Sequence, residues 1–445
     1  MLNNTNEYLE KDRRSVWHPF SKQSVINESD FPVITRGEGP FLFDSEGNRY
    51  LDAISSWWCC NLGHSHPRIV EAVQEQSGQL QHSILANLTH PKVVELASKL
   101  VQYFPSDDRH VLFASDGASA VEAAMRIAIQ YWYNRGQPEK HRFIALRDAY
   151  HGDTLGAMSL GFVSSFHAPY KDVVMPVYHA ESPAGLGCYW GHDTEVCQDQ
   201  CLDQMRQMIK EHADELAAVV VEPHCQGAGG MRMYSSAYLK GLADLCKEHG
   251  VLLIVDEIAT GFGRTGRMFS FNHAGIDPDI VCLGKGLSAG YMPVSAAVVK
   301  QFIYETFTDK PVDHTFYHGH TFAGNPLGMA AALACLQVYE EEGIVQRAAS
   351  LGNVLGEEFE RFRELPMIEN VRQLGMIAAF NVKSGPEGES AGDRAHQVRR
   401  RLMQEEIMLR PLGNTLYLML PLITSEELLR DAVSKLYNAV AELRH

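Results

Sequence analysis

Three ionisable side chains lie where apolar runs of the sequence end. Asp256 directly follows residues 251–255, Lys285 comes shortly after residues 280–283, and Glu222 follows another run of the same kind. Continuous apolar runs of this length are typical of buried strands in an α/β sheet. Because ligands of such sheets gather at the carboxyl ends of the strands, we interpret these side chains as candidates for one site. Each of them could also be a solvated charge at a strand end.

The pair Lys285 and Asp256 has the two groups that pyridoxal 5'-phosphate chemistry requires. The lysine amine would form a Schiff base with the cofactor aldehyde, and the carboxylate would hold the ring nitrogen protonated. Once a substrate amine displaced it, Lys285 would move a proton between carbon atoms. We therefore predict Lys285 and Asp256 as catalytic residues and pyridoxal 5'-phosphate as the cofactor.

The segment Ser-Asp-Gly-Ala-Ser at residues 115–119 follows a predicted strand and opens a predicted helix. The backbone N–H groups of such a turn, together with the helix N-terminus, can bind a phosphate. An ordinary helix cap formed by Ser115 or Asp116 explains the same segment. The context of Lys285 and Asp256 favours the phosphate site.

Two other segments could contact a cofactor. Tyr150 begins the segment Tyr-His-Gly-Asp after a predicted strand, and its ring could stack on a cofactor ring or a bound substrate. A core aromatic residue in a turn is the alternative. Thr321 ends the segment His-Gly-His-Thr just before a predicted helix, and its hydroxyl could donate to a phosphate. The histidines of that segment are equally explained as polar turn residues.

The order of the predicted elements indicates two domains. From about residue 67, apolar strands alternate with helices, which is typical of a large α/β domain with a mostly parallel sheet. Before it, residues 41–51 predict a hairpin. The C-terminal part predicts a smaller α+β domain. We place the boundaries at 1–60 for an N-terminal segment that joins the small domain, 61–335 for the large cofactor-binding domain and 336–445 for the small domain.

The composition is that of an ordinary globular protein. Lys and Arg total 39 against 55 Asp and Glu, which gives a formal net charge of −16 over 445 residues. An acidic surface disfavours nucleic acid as a partner. No apolar stretch reaches the length of about 18 residues that a membrane helix needs, and residues 1–14 lack the pattern of a secretory signal. We predict a cytoplasmic protein with no nucleic-acid or membrane partner.

Nine cysteines, an odd number, indicate no disulfide framework in a chain of this length. Cys188, His192, Cys197 and Cys201 lie close together in the sequence and are residue types that bind zinc. Their spacing matches no common zinc finger, and Cys197 and Cys201 suit one face of a helix. We therefore predict no metal site.

Three segments resemble the signature segments of the class III aminotransferases in order and spacing. They are Asp-Glu-Ile-Ala-Thr-Gly-Phe-Gly-Arg-Thr-Gly (256–266), Leu-Gly-Lys-Gly-Leu (283–287) and His-Gly-His-Thr-Phe-Ala-Gly-Asn-Pro (318–326). The resemblance extends over most of the chain. It implies a fold-type I homodimer with both active sites at the interface. It also implies that Lys285 carries the cofactor as a Schiff base and that Asp256 pairs with the ring nitrogen.

The same resemblance implies a phosphate site made by two subunits. Gly117 and Ala118 would bind the phosphate together with Thr321 of the partner subunit, next to His320, while Tyr150 would face the cofactor. Ala118 lacks a hydroxyl that some relatives have at this position. Its contact with the phosphate would therefore come from the backbone.

Five further segments resemble one branch of the family, the diaminononanoate synthases of biotin synthesis. They are Trp-His-Pro-Phe (17–20), Ser-Ser-Trp-Trp (55–58), Tyr-His-Gly-Asp-Thr (150–154), Gln-Gly-Ala-Gly-Gly-Met-Arg-Met-Tyr (226–234) and Leu-Arg-Pro-Leu-Gly (409–413). Members of this branch convert 8-amino-7-oxononanoate to 7,8-diaminononanoate. We expect the same reaction here, with a small-molecule amino donor and a long-chain keto acid as partners.

The branch resemblance also implies which residues bind the substrate. Trp57 and Tyr150 would form its walls next to Phe20, Gly319 would contact it through the backbone, and Arg410 would anchor its carboxylate. A long aliphatic acid needs an apolar wall and a cation at its far end. Core packing is the alternative explanation for one of the two adjacent tryptophans, and a surface ion pair is the alternative for Arg410.

Two positions bear on the identity of the amino donor. Relatives that use S-adenosylmethionine usually have Tyr where this chain has Phe20, and Pro where it has His320. Relatives that use lysine resemble this chain more closely at both positions. The sequence therefore favours lysine and leaves S-adenosylmethionine open.

Other activities stay open on the sequence alone. A general ω-amino acid or diamine transaminase of the same family, a decarboxylase or aminomutase on the same fold, and a non-catalytic relative are the alternatives. Arg410 and the adjacent tryptophans argue against the first of these. The presence of both Lys285 and Asp256 argues against the last.

Overall fold

The computed structural model describes residues 5–28, 31–163, 167–184 and 194–443. The helices of this part of the chain, in chain order, are α1 Thr5–Ser15, α2 Gln23–Glu28, α3 Ser55–Trp58, α4 Pro67–Ser77, α5 Pro91–Val101, α6 Gly117–Asn134, α7 Leu155–Leu160, α8 Thr194–His212, α9 Ser236–Glu248, α10 Gln301–Tyr304, α11 Pro326–Glu341, α12 Ile344–Glu360, α13 Ala391–Gln404 and α14 Glu426–Ala441.

The described strands are β1 Ile34–Glu38, β2 Phe41–Asp44, β3 Arg49–Asp52, β4 Arg109–Ala114, β5 Arg142–Leu146, β6 Tyr178–Ala180, β7 Leu216–Val221, β8 Cys225–Gln226, β9 Arg232–Met233, β10 Leu252–Asp256, β11 Ile280–Leu283, β12 Ser295–Lys300, β13 Ile368–Leu374, β14 Ile377–Val382, β15 Ile407–Met408 and β16 Thr415–Leu418.

The largest sheet has seven strands in the order β4-β12-β11-β10-β7-β5-β6. The pairs β11–β10, β10–β7, β7–β5 and β5–β6 are parallel, whereas β12 is antiparallel to both of its neighbours. Every residue of β7, β10 and β11 is buried, because helices cover both faces of such a sheet and favour unbroken apolar strands. The predicted α/β class with a mostly parallel sheet is confirmed.

Strand β12 was not predicted from the sequence. It returns antiparallel to β11, with Ile280 paired with Val299 and Leu283 paired with Ala296. An apolar run indicates that a strand is buried but does not give its direction. Here the loop that carries Lys285 joins the two strands without the crossover helix that a parallel connection usually contains.

A smaller region combines the two ends of the chain. Strands β2 and β3 form the predicted hairpin, with Phe41 opposite Leu51. Strand β15, from the C-terminal part, pairs with β3. With β1 on the other side of the hairpin, the sheet has four strands in the order β1-β2-β3-β15. A second, antiparallel sheet consists of β13, β14 and β16. The domain boundaries at residues 60 and 335 stay a prediction.

Helix α3 is a single turn with an unusual backbone. Its four residues have φ values of +48° at Ser55, +44° at Ser56, +71° at Trp57 and +73° at Trp58. Left-handed backbone costs a residue other than glycine about 1–2 kcal/mol. Four such residues in succession therefore need strong local contacts, and these are described below.

Among the described residues, no helix combines the length and the apolar character that a membrane crossing would require.

Candidate active site

A cavity of about 490 Å³ opens where strands β5, β7, β10 and β11 end. Several predicted residues come together in its wall. The lining consists of Trp58, Asp116, Gly117, Ala118, Tyr150, His151, Gly152, Asp153, Thr154, Glu222, Asp256, Ile258, Ala259, Thr260 and Lys285. The volume is in the range of small-molecule sites in proteins.

Lys285 projects from the loop that follows β11, at a residue with φ of +41°. Its Nζ atom lies 4.9 Å from the centroid of the Trp58 ring. Burial lowers the pKa of the Lys285 amine, while the charges of Asp256 and Glu222 act in the opposite direction. A lowered pKa increases the fraction of neutral amine, which is the nucleophilic form.

Asp256 is the last residue of β10 and is buried. Its Oδ2 atom lies 2.8 Å from His151 Nδ1, and its Oδ1 atom accepts a hydrogen bond from the Ile258 N–H at 3.1 Å. These contacts fix the orientation of the carboxylate in the cavity wall. The contact between His151 and Asp256 was not predicted, because the two residues are 105 positions apart in the sequence.

His151 is itself buried, and its Nε2 atom has no hydrogen-bond partner in the described structure. Burial lowers the pKa of His151, but the hydrogen bond and the charge of Asp256 outweigh it and raise the pKa above the ordinary value. The two side chains thus form a buried hydrogen-bonded pair. Removing one partner would leave the other buried without this hydrogen bond.

Glu222 follows β7 and is held by two backbone N–H groups. Its Oε2 atom accepts from Tyr150 N at 3.0 Å and its Oε1 atom accepts from Gly227 N at 2.9 Å. Burial raises the pKa of Glu222 to about 7. Its carboxyl group therefore changes protonation state near neutral pH, inside the same cavity as Lys285.

The segment at the start of α6 is both a helix cap and a cavity wall. Asp116 Oδ1 accepts from Ser119 N at 3.0 Å, which is an N-cap, so α6 begins at Gly117, within the segment that was predicted to open a helix. Gly117 and Ala118 are the first residues of the helix and line the cavity. A Cβ atom at Gly117 would lie 2.9 Å from Ile258 Cδ1, so a larger residue would displace Ile258.

Tyr150 lines the cavity and donates its hydroxyl hydrogen to Asp153 Oδ2 at 2.8 Å. The loop that follows packs closely on the start of α6. Gly152 has φ of +126°, and a Cβ atom there would lie 2.4 Å from Ala118 Cβ. The glycine thus permits Tyr150 and Ala118 to line one cavity.

Phe20, Trp57 and Arg410 form a second group. The Phe20 and Trp57 rings make an edge-on contact with centroids 5.6 Å apart. Arg410 Cζ lies 4.8 Å from the Trp57 ring, and Arg410 Nη2 donates to the Phe20 carbonyl oxygen at 2.6 Å. As the structure describes it, the cavity lining includes none of these three. We call Phe20, Trp57 and Arg410 the aromatic–arginine cluster.

The two adjacent tryptophans differ in their surroundings. Trp57 is 40% exposed, whereas Trp58 is buried and donates from Nε1 to the Tyr417 hydroxyl at 3.1 Å. Trp58 nevertheless lines the cavity beside Lys285. Core packing was the alternative explanation for one of the two tryptophans. It applies to Trp58 only in part, because this residue is buried and also lines the cavity. Trp58 was not predicted as a site residue from the sequence.

Gly319, His320 and Thr321 are exposed and lie before α11. Within the ranges that the structure describes, they are not part of the cavity lining. A single chain therefore does not bring these predicted residues to Gly117 and Ala118.

The cysteine cluster falls partly outside the described residues, because Cys188 and His192 are not among them. Cys197 and Cys201 are buried on α8 with their Sγ atoms 4.0 Å apart. The helical arrangement that their spacing indicated is present.

The comparisons with known proteins agree with this geometry. The family model "Aminotransferase class-III" matches residues 24–440. A protein of Geobacter sulfurreducens named adenosylmethionine-8-amino-7-oxononanoate aminotransferase is 40% identical over 438 residues, covering 96% of this chain and 97% of its own. The crystal structure of the enzyme of that name from Methanocaldococcus jannaschii aligns with a TM-score of 0.91 at 36% identity, covering 98% of this chain and 99% of its own.

An amine transaminase from an uncultivated Pseudomonas species, solved in its PLP-bound form, aligns with a TM-score of 0.90 at 32% identity and covers 96% of this chain and 98% of its own. These similarities extend over nearly the full length on both sides and include the segments around Asp256 and Lys285. The chain belongs to the class III aminotransferases.

Proposed function

We propose that this aminotransferase uses pyridoxal 5'-phosphate and converts 8-amino-7-oxononanoate to 7,8-diaminononanoate in biotin synthesis. The observation that carries the proposal is the convergence of Lys285, Asp256 and the start of α6 on one cavity. Relatives named for this reaction, at 36–40% identity over almost the whole chain, support the choice of substrate.

The residues of the cavity fit this cofactor. A buried amine of lowered pKa, a buried carboxylate and the N-terminus of a long helix line the same space. These are partners for an aldehyde, a ring N–H and a phosphate, respectively. When bound, the cofactor supplies an electron-accepting ring that stabilises negative charge on the substrate carbon.

The residues that line the cavity then have separate tasks. Asp256, oriented by His151, would pair with the ring nitrogen of the cofactor. The backbone N–H groups of Gly117 and Ala118 would bind its phosphate. The Lys285 amine would hold the cofactor and, when released, would accept and return a proton at the substrate carbon. Tyr150 and Trp58 exclude water from the reacting atoms.

The aromatic–arginine cluster suits the far end of a long-chain keto acid. Phe20 and Trp57 provide an apolar wall, and Arg410 provides a guanidinium group beside it. Arginine has five N–H donors, so Arg410 can bind a carboxylate while it keeps its hydrogen bond to Phe20. We assign Gly319 a backbone contact with the substrate at the interface.

A homodimer would complete the site. Tyr317 and Phe322 are 77% and 66% exposed on either side of the segment that contains Gly319, His320 and Thr321. Apolar surface of this kind is covered at protein interfaces. We propose that Thr321 of the partner subunit binds the phosphate next to Gly117.

The amino donor is lysine or S-adenosylmethionine. The printed names of the relatives include adenosylmethionine, whereas Phe20 and His320 favour lysine by resemblance. A phenylalanine offers no hydroxyl to a polar amino donor, and the Phe20 carbonyl oxygen accepts a hydrogen bond from Arg410.

A donor screen tests the proposal. Protein supplied with pyridoxal 5'-phosphate and 8-amino-7-oxononanoate would receive lysine, S-adenosylmethionine, glutamate or alanine separately, with 7,8-diaminononanoate detected by mass spectrometry. We expect product with lysine or S-adenosylmethionine. If cofactor-loaded protein gives no product with any donor, the substrate assignment is wrong and only the family assignment stands.

A further inference from the structure

The left-handed turn α3 is fixed by hydrogen bonds from both of its serines. Ser55 Oγ donates to the Met419 carbonyl oxygen at 2.6 Å and lies 3.2 Å from Arg264 Nη2. Ser56 Oγ donates to Asp52 Oδ2 at 2.6 Å. Consecutive serines thus attach the turn to buried groups on two sides, where its backbone alone would not stay left-handed.

Asp52 links this turn to the N-terminal sheet. It is the last residue of β3, and its side chain is fully buried. The same Oδ2 atom that accepts from Ser56 also lies 2.9 Å from His64 Nε2. A Cβ atom at Gly37 would lie 2.6 Å from His64 Cβ, so the histidine is packed directly against the backbone of β1.

Both contacts of the Asp52 carboxylate are made by a single oxygen atom, Oδ2. Its Oδ1 atom is buried and has no hydrogen-bond partner in the described structure. An unsatisfied buried carboxylate oxygen is unfavourable.

The turn determines where two site residues point. Trp57 extends to the aromatic–arginine cluster, with its ring 4.8 Å from Arg410 Cζ. Trp58 extends to the cavity, with its ring 4.9 Å from Lys285 Nζ. Because the residues are adjacent and both have positive φ, a change in the turn would move both rings together.

We propose that Asp52, Ser56 and His64 form a positioning clamp that holds the left-handed turn and so aims Trp57 and Trp58 into the substrate site. The inference rests on the proposed function in that it takes Trp57 as a wall for the keto acid. The three residues act through the turn and touch neither the substrate nor the cofactor.

Two substitutions of Ser56 distinguish a positioning role from a general loss of stability. Ser56→Ala removes the hydroxyl and keeps a residue that resists positive φ. Ser56→Gly removes the same hydroxyl, but glycine adopts positive φ readily. We expect Ser56→Ala to raise the KM for the keto acid about fivefold to tenfold with kcat within about threefold of the parent. Ser56→Gly should lie closer to the parent than Ser56→Ala.

A second readout needs no substrate. The near-ultraviolet circular dichroism contributed by Trp57 is the difference between the apoprotein and its Trp57→Phe variant. We expect this difference to shrink by about half or more when both proteins carry Ser56→Ala, because the indole loses its fixed surroundings. Asp52→Ala should have the same effect, and the Ser56 variants keep the test intact if Asp52→Ala does not fold.

Ser77→Ala is the matched control, since Ser77 is an exposed serine whose hydroxyl donates only locally, to the Gln74 carbonyl at 2.7 Å. It should leave both readouts unchanged. The clamp is refuted if Ser56→Ala keeps both the KM and the Trp57 dichroism of the parent. If the parent protein does not use the keto acid, the proposed function fails, and the dichroism alone decides on the clamp.

Discussion

The cavity around Lys285 and the aromatic–arginine cluster are built in different ways. Asp256 ends one buried strand of the large sheet and Glu222 directly follows another, and both carboxylates accept hydrogen bonds from the loops beside them. Phe20, Trp57 and Arg410 come from distant parts of the sequence, and Trp57 and Phe20 are 40% and 45% exposed. The cavity residues thus lie at the ends of buried strands of one sheet, whereas the cluster is assembled from surface segments.

The difference matches the two tasks that an aminotransferase performs. Bond-making at the cofactor needs fixed geometry, which strand ends of a buried sheet provide. Recognition of one keto acid among many needs side chains that can differ between relatives, and surface segments tolerate such differences. Substitutions in the cavity should therefore impair turnover, and substitutions in the cluster should impair substrate binding.

The largest effect is expected at Lys285. Lys285→Ala removes the amine that holds the cofactor and transfers the proton, so product formation should fall by at least about 10³-fold. The measurement is the initial rate of 7,8-diaminononanoate formation with the best donor. Lys247→Ala, at an exposed position on α9, is the matched control and should retain the parental rate. Substantial turnover by Lys285→Ala would contradict the role given to the cavity.

His151→Ala tests how Asp256 is oriented. It removes the hydrogen-bond partner at 2.8 Å and leaves a buried carboxylate without it. We expect kcat to fall about 10- to 100-fold, as is common when a hydrogen bond to a buried charge is lost. The KM for the keto acid should change little. A large rise in KM with unchanged kcat would place His151 with the substrate and not with the cofactor.

Arg410→Gln tests the cluster. It removes the cation beside Trp57 and keeps a polar side chain of similar length. We expect the KM for the keto acid to rise about tenfold or more, since a charge-assisted contact with the carboxylate is lost, while cofactor affinity stays at the parental value. Steady-state kinetics measures the KM, and a cofactor titration measures the cofactor affinity. Loss of cofactor binding in this variant would show that the cavity and the aromatic–arginine cluster do not have separate roles.

The smallest effect concerns pH. Burial raises the pKa of Glu222 from 4.5 to about 7, so the folded state binds a proton that the unfolded state releases between these values. The stabilising contribution is fully present below about pH 4.5 and is lost as the pH rises through 7. Urea unfolding of the apoprotein should therefore show a steeper loss of stability between pH 5 and pH 8 in the parent than in Glu222→Gln. Equal slopes would show that Glu222 does not titrate there.

The sequence predicted the cavity around Lys285 better than the aromatic–arginine cluster. Residues 280–283 were predicted as a strand and are β11, and residues 217–221 lie within β7. Buried parallel strands are apolar throughout, so their ends, and with them Glu222, Asp256 and Lys285, are visible in the sequence. The pairing of His151 with Asp256 was not visible, because it joins the loop after β5 to the end of β10, and β7 lies between these two strands in the folded sheet.

The turn α3 and the aromatic–arginine cluster depend on features that are hard to recognise in a sequence. The left-handed turn α3 contains no glycine to indicate positive φ, since its residues are Ser-Ser-Trp-Trp. The proximity of Phe20 to Arg410 joins residues that are 390 positions apart. The resemblance to relatives pointed to these residues, but only the three-dimensional contacts explain how the turn and the cluster hold their positions.

The most direct test of the central claim is to locate the cofactor. The protein would be loaded with pyridoxal 5'-phosphate, reduced with borohydride to make the attachment permanent, digested and mapped by mass spectrometry. The account predicts the cofactor on the peptide that contains Lys285, and no labelled peptide in Lys285→Ala. Attachment at another lysine, or no attachment in protein that still transfers amino groups, would contradict it.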